Sequence, residues 1–119
     1  MQKKSLTFNC RDIVLVELPY SDYTGSKLRP VLIVSGSQFN KNQKDIIVCK
    51  ITSSNFNDKY HIEFSKSDLD DGALKLNKSW IGSGFLFTIE KSLINKKIGQ
   101  LSKKKYNEVL NSINLIFNE

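Results

Sequence analysis

The chain has 119 residues, 39% of them hydrophobic and 25% charged, with a formal net charge of +6. That length fits one domain around one hydrophobic core, and the composition is that of an ordinary soluble globular protein. No apolar run approaches the ~20 residues that span a bilayer, and residues 1–6 are basic without an apolar signal core, so membrane insertion and export are not expected and the expected compartment is the cytoplasm.

The charge is unevenly spread. Residues 1–50 carry eight basic and four acidic side chains, residues 51–90 four and six, and residues 91–119 six and two. Two basic ends around a slightly acidic middle favour a basic surface stripe, which would attract a polyanion such as nucleic acid. Cys10 and Cys49 stand apart, with no histidine at metal-ligand spacing, and are expected to be free thiols.

In chain order, residues 12–18 and 31–35 are short and rich in β-branched residues, which predicts two strands. They are joined through residues 25–30, read as a loop ending in Arg29-Pro30. Pro30 has no N–H to donate and is expected at the first residue of its strand or on an edge. It biases Arg29 towards an extended backbone. Arg29 is thus a permanently charged, fork-shaped donor set where a loop meets a strand, a good position for clamping a phosphate or carboxylate.

Residues 40–44 read as a polar turn. Residues 45–51 form a nearly continuous apolar run, expected to be a strand buried on both faces, and it ends abruptly in the hydroxyls of Thr52 and Ser53. Residues 59–64 alternate, with Tyr60, Ile62 and Phe64 predicted to face inward. Residues 65–72 read as an acidic loop, 73–76 and 79–81 as short strands, and 85–89 as a strand after a Gly82-Ser83-Gly84 break. Residues 93–94 and 98–101 are candidates for a last pairing.

The period then changes. Tyr106, Val109, Leu110, Ile113, Ile116 and Phe117 form one stripe at helical spacing, with Ser102 as N-cap and Leu101 and Tyr106 as a hydrophobic staple. Lys103, Lys104 and Lys105 in the first turn oppose the macrodipole by roughly 0.3–1 kcal/mol each. They point to an external contact or to a generally lysine-rich composition. Many short strands closed by one amphipathic helix predict a mainly β protein, a small curved barrel or open sheet capped by that helix.

The chemical candidates are few. His61 shares the outward face with Lys59 and Glu63 and reads as a solvated surface residue rather than a catalytic base. The separated cysteines and scattered carboxylates make no metal site, and no nucleophile–histidine–acid set is present. What remains is Arg29 with the hydroxyls of Thr52 and Ser53, which share one rim of the sheet if the first three strands are neighbours. Phosphoryl transfer within RNA needs little more, because the substrate supplies its own nucleophile, the 2′-hydroxyl.

These residues resemble the PemK/MazF family, the toxin half of type II toxin–antitoxin pairs. The likeness rests on residues 12–16, on Arg29-Pro30 followed by residues 31–35, and on residues 48–53. It continues through residues 79–81, 86–94 and 97–102 and the closing helix. The resemblance implies an SH3-like barrel with a C-terminal helix, assembled as a homodimer. It further implies a sequence-selective endoribonuclease that cleaves single-stranded RNA without metal or cofactor, leaving a 2′,3′-cyclic phosphate. Arg29 takes the place of the family's general acid or phosphate stabiliser, and Thr52 that of the threonine contacting the scissile phosphate. Lys27, Ser53 and Asp22 are the candidate RNA-contacting residues beside them. The implied partners are RNA and a cognate antitoxin with an acidic tail, with no membrane.

The chain departs from the family at Arg11, where relatives usually carry glycine, and at Thr24, where some carry an acid. It departs also at Gly82 and Gly84, where some carry an arginine and an acid proposed as acid–base partners. The general base is left to Asp22 or solvent. Two other readings stand beside the nuclease: a degenerate homologue that binds RNA or antitoxin without cutting, and a toxin on the same barrel directed at DNA gyrase.

Overall fold

The β-branched runs of the sequence fall in strands in a computed structural model, which describes residues 7–19, 22, 24–72 and 78–118. The strands are β1 (Asp12–Pro19), β2 (Ser26–Ile33), β3 (Asp45–Thr52), β4 (His61–Phe64), β5 (Leu69–Gly72), β6 (Ser79–Glu90) and β7 (Ile94–Leu101). They form one antiparallel sheet in the order β4-β6-β3-β2-β1-β7-β5. A short helix α1 (Ser37–Asn42) joins β2 to β3, and α2 (Lys103–Phe117) closes the chain.

The sheet is strongly curled. Phe64 of β4 and Leu101 of β7 belong to one buried cluster, and Leu69 of β5 packs against it. In a flat sheet β4 and β5 would lie six strand spacings apart, roughly 29 Å. Their meeting around Ile13, Leu32, Cys49, Ile51 and Ile81 means the sheet wraps into a barrel, with Tyr106 and Val109 of α2 closing one side. Val14, Val16, Val31, Ile33, Ile46, Val48 and Ile89 face the other way and make a second buried cluster. This explains why β3 reads as apolar on both faces.

The closing helix obeys its sequence signals. Ser102 is the N-cap and its Oγ accepts from the Lys105 N–H at 3.2 Å, while Tyr106 donates its phenol to the Val34 carbonyl at 2.8 Å. The predicted stripe runs out at its end, where Phe117 is exposed.

Five expectations change. Strand β2 begins at Ser26 rather than after Pro30, so Arg29 and Pro30 lie inside a hairpin arm paired with β1. Residues 37–42 are a helix too short to announce itself by periodicity. The acidic segment contains a 3₁₀ turn at Lys66–Asp68 and then β5, which pairs with β7. The two strands expected around Gly82-Ser83-Gly84 are one strand, β6, with a large bulge between Gly82 and Leu86 opposite Lys50 and Cys49. His61 is not solvated: its side chain is 10% exposed. The strand expected at residues 73–76 lies outside the described residues.

The departure at Arg11 has a structural reason. Arg11 sits at φ +79°, the left-handed region that glycine enters freely and other residues enter at roughly 1–2 kcal/mol. Its guanidinium offsets the strain. Nε donates to the Leu101 carbonyl at 2.9 Å, and Nη2 contacts Asp70 at 2.5 Å and Gln100 at 3.3 Å, tying β1 to β5 and β7. Arg11→Ala should keep the strain and lose these bonds, destabilising the fold by about 2–3 kcal/mol. Arg11→Gly loses the same bonds without the strain and should be milder by about 1 kcal/mol. Denaturant unfolding of the three proteins checks that order.

Cys10 and Cys49 are free, and burial pushes the Cys49 thiol up to about 12. The thiolate is the reacting species, so at pH 8 Cys49 should resist iodoacetamide in the folded protein and react only after unfolding, while half-buried Cys10 labels first. Mass spectrometry of the alkylated protein reads this directly.

Candidate functional site

The ladder between β2 and β3 comprises Val31↔Lys50, Leu32↔Cys49 and Ile33↔Val48, and it stops at Pro30. Beyond that point β2 follows β1, with Lys27 opposite Leu18, and β3 follows β6, with Thr52 opposite Trp80. The two arms part, and a cleft of about 680 Å³ opens between them. Val31, Ile51, Leu18 and Phe87 contribute its apolar lining, and Lys27, Arg29, Lys50, Thr52 and Ser53 its polar lining.

Continuing the β2–β3 register two residues past Val31↔Lys50 sets Arg29 opposite Thr52. Alternation puts both side chains on the face of Val31 and Val48, which belong to the second cluster. Of the residues proposed from sequence, Lys27, Arg29, Thr52 and Ser53 therefore meet in one cleft. Asp22 does not line it. Its carboxylate accepts from the backbone N–H and hydroxyl of Thr24 at 3.1 and 2.7 Å in the exposed β1–β2 turn, and these bonds hold its pKa below the ordinary value.

The electrostatics are one-sided. Among the described residues three cationic side chains line the cleft and no carboxylate does. Among the described residues Lys27, Arg29 and Lys50 make no ion pair, although Arg11, Lys44, Lys78, Lys97 and Lys105 all do. The Thr52 hydroxyl accepts from the Ser54 N–H at 3.1 Å, which fixes its oxygen and leaves its proton to donate. Ser79, 1% exposed, also lines the cleft, and its hydroxyl has no hydrogen-bond partner among the described residues. The cleft is thus an anion site with hydroxyl donors, suited to a phosphodiester. Among the described residues no group of three or more His, Cys, Asp or Glu side chains could hold a metal.

Sequence reasoning missed two contributors. Lys50 was legible, since alternation along β3 puts it on the face of Val48 and Thr52. The environment of His61 was not. Phe56 stacks on its ring at 3.8 Å with planes 4° apart, and Phe85 lies at 5.7 Å with its plane tilted by 49°. Its Nδ1–H donates to Asp58 at 2.9 Å; an ionised carboxylate only accepts, so the proton sits on Nδ1.

That bond holds the Asp58 carboxyl below its usual range. Its contribution to stability is therefore full above the ordinary carboxylate pKa and fades as pH falls through the lowered value. In His61→Phe the Asp58 carboxyl should titrate closer to the ordinary value, which a side-chain carbon NMR titration of both proteins checks.

A family model described as "PemK-like, MazF-like toxin of type II toxin-antitoxin system" matches residues 9–117. No curated protein matches. Among solved structures, the Mycobacterium tuberculosis toxin MazF-mt6 superposes with a TM-score of 0.72 at 21% identity, covering 91% of this chain and 97% of that one. An endoribonuclease in complex with its cognate antitoxin from a mycobacterial species gives 0.72 at 14% identity, covering 92% and 93%. The MazE-MazF complex from Deinococcus radiodurans gives 0.77 at 12% identity, covering 94% and 97%. At these identities the likeness establishes a shared fold.

Proposed function

We propose that this chain, which belongs to the PemK-like, MazF-like toxin family of type II toxin–antitoxin systems, cleaves single-stranded RNA in the cleft between β2 and β3. The observation that carries the reading is the placement of Arg29 opposite Thr52 beside a cleft lined by cations and, among the described residues, by no carboxylate. An RNA phosphate gripped there meets a guanidinium from one arm and a hydroxyl donor from the other. Both donors stabilise charge that grows on the non-bridging oxygens as the 2′-oxygen attacks phosphorus.

In this reaction the 2′-oxygen–phosphorus bond forms and the phosphorus–5′-oxygen bond breaks, leaving a 2′,3′-cyclic phosphate and a 5′-hydroxyl. The 2′-hydroxyl gives up a proton and the 5′-oxygen takes one. Arg29 acts on charge, as a hydrogen-bond donor to the phosphate oxygens. Among the described residues no carboxylate or imidazole lines the cleft, and Asp22 is a weakened base, so solvent takes the 2′-proton and supplies the one that the 5′-oxygen takes. Lys27, Lys50 and Ser53 are placed to hold the flanking backbone. Such chemistry has no step that requires a metal.

A cytoplasmic homodimer controlled by an antitoxin completes the reading. A disordered acidic tail suits the same unpaired cations as RNA, and so would block the cleft by occupying it. The structures of relatives described as antitoxin complexes support that partner class. The rival reading, a homologue that binds RNA without cutting, is favoured by Gly82 and Gly84, which supply no side chain where some relatives carry an acid–base pair.

Purified protein with EDTA should cut a long single-stranded RNA at discrete sites. Arg29→Ala should lose about 10²–10³ in rate, Thr52→Val about tenfold, each with an unchanged melting temperature. Uncut RNA that is nonetheless retained in a binding assay selects the rival. Undiminished cutting by Arg29→Ala removes the cleft from the mechanism.

A further inference from the structure

Beyond the phosphate cleft, a second surface continues from Lys50. Lys50, Gly82 and His61 are cross-strand neighbours on β3, β6 and β4, so their side chains share one face. Gly82 has no side chain, and Phe85 folds back from the β6 bulge to fill that space. A Cβ at position 82 would lie 2.7 Å from Phe85 Cδ2. The result is a row in which the Lys50 ammonium lies 5.7 Å from the centre of the Phe85 ring, Phe85 abuts His61, and His61 stacks on Phe56.

Phe85 remains 52% exposed, so core burial does not account for it. Its bulge is nonetheless fixed. The Ser83 and Ser112 hydroxyls lie 2.6 Å apart and within 2.7 and 2.9 Å of the Tyr60 and Lys59 carbonyls, which pins the bulge to α2 and to the turn before β4. A rigidly held, half-exposed ring beside a cation and an anion cleft is the arrangement of a stacking platform for single-stranded nucleic acid.

We infer that Phe85, backed by His61 and Phe56, stacks an unpaired nucleobase of the strand whose phosphate lies at Arg29 and Thr52, with Lys50 bridging cleft and platform. The inference rests on the RNA reading for its ligand and deepens it by naming a base-binding subsite. An acidic peptide would satisfy Lys50 but gains little from the flat face of a phenyl ring. A nucleobase next to its own phosphate satisfies both.

The test uses the full chain with two labelled oligomers that cannot be cut, a deoxyadenylate dodecamer and an abasic deoxyribose-phosphate dodecamer, and an acidic peptide as a control ligand. Phe85→Ala should weaken binding of the first about 5- to 30-fold and leave the second unchanged, and Phe85→Trp should restore binding. Equal loss on both probes, or no loss on either, overturns the platform. So does a loss seen only with an acidic peptide, which would make this a protein-docking face. Arg29→Ala should weaken both oligomers alike. If Arg29→Ala still cuts RNA, the nuclease mechanism fails while the comparison of the two probes stands by itself.

Discussion

Pro30 determines where the sheet divides. It cannot donate to a ladder, and the β2–β3 pairing ends at Val31↔Lys50, one residue short of it. From there the Ser26–Pro30 arm of β2 is held only by β1, and the end of β3 only by β6. Had the ladder continued, Arg29 and Thr52 would be zipped together across a closed sheet with no room for a ligand between them. The missing N–H keeps the register while withholding the bond. It yields two strand ends that face each other across a gap, each anchored by its outer neighbour, so donors at the mouth of the cleft stand on rigid elements rather than on loops.

Charge is distributed to the same end. Five cations outside the cleft have a carboxylate partner: Lys97 meets the buried Asp12 at 3.1 Å, Arg11 meets Asp70, and Lys44, Lys78 and Lys105 each have a glutamate. In the cleft Lys27, Arg29 and Lys50 share a lining in which, among the described residues, there is no carboxylate. An anion entering the cleft meets charges of one sign only, and their summed field draws it in. A site so lined would respond to any polyanion, so the proposed competition between RNA and an acidic tail needs no further machinery.

Legibility in the sequence followed burial. Strands β1 and β3 and helix α2 bury most of one face or both, and their patterns were plain. The Ser26–Arg29 half of β2 is exposed, lacks alternation and reads as loop. Helix α1 is six residues long, too short for a period, and is held by Asn40, whose amide donates to the Phe8 and Ser35 carbonyls from beyond the local sequence. Gly82-Ser83-Gly84 has the composition of a break and the structure of a bulge, because the serine's partners lie on α2 and before β4. Arg29 and Thr52 could be proposed from the sequence because a proline and a strand end mark them locally. The ring cluster could not, since Phe56, His61 and Phe85 come from a loop, a strand and a bulge that only the curled sheet brings together.

The departures from the family pattern then read as substitutions of one physical solution for another. At position 11 an arginine accepts backbone strain that a glycine would avoid, and its guanidinium fastens β1 to the far edge of the sheet. At position 82, where the resemblance leads one to expect a charged side chain in some relatives, a glycine leaves space that takes the ring of Phe85. The first exchange leaves the cleft untouched. The second sets an apolar π-surface beside the cleft, which on the proposed reading holds a base in place of groups that would move protons. Gripping a phosphate needs only the donors at Arg29 and Thr52, and the proposed reaction draws its nucleophile from the substrate. A platform that orients the nucleotide beside that phosphate therefore acts on the same barrier as an acid–base pair, by fixing the in-line geometry rather than by transferring the proton.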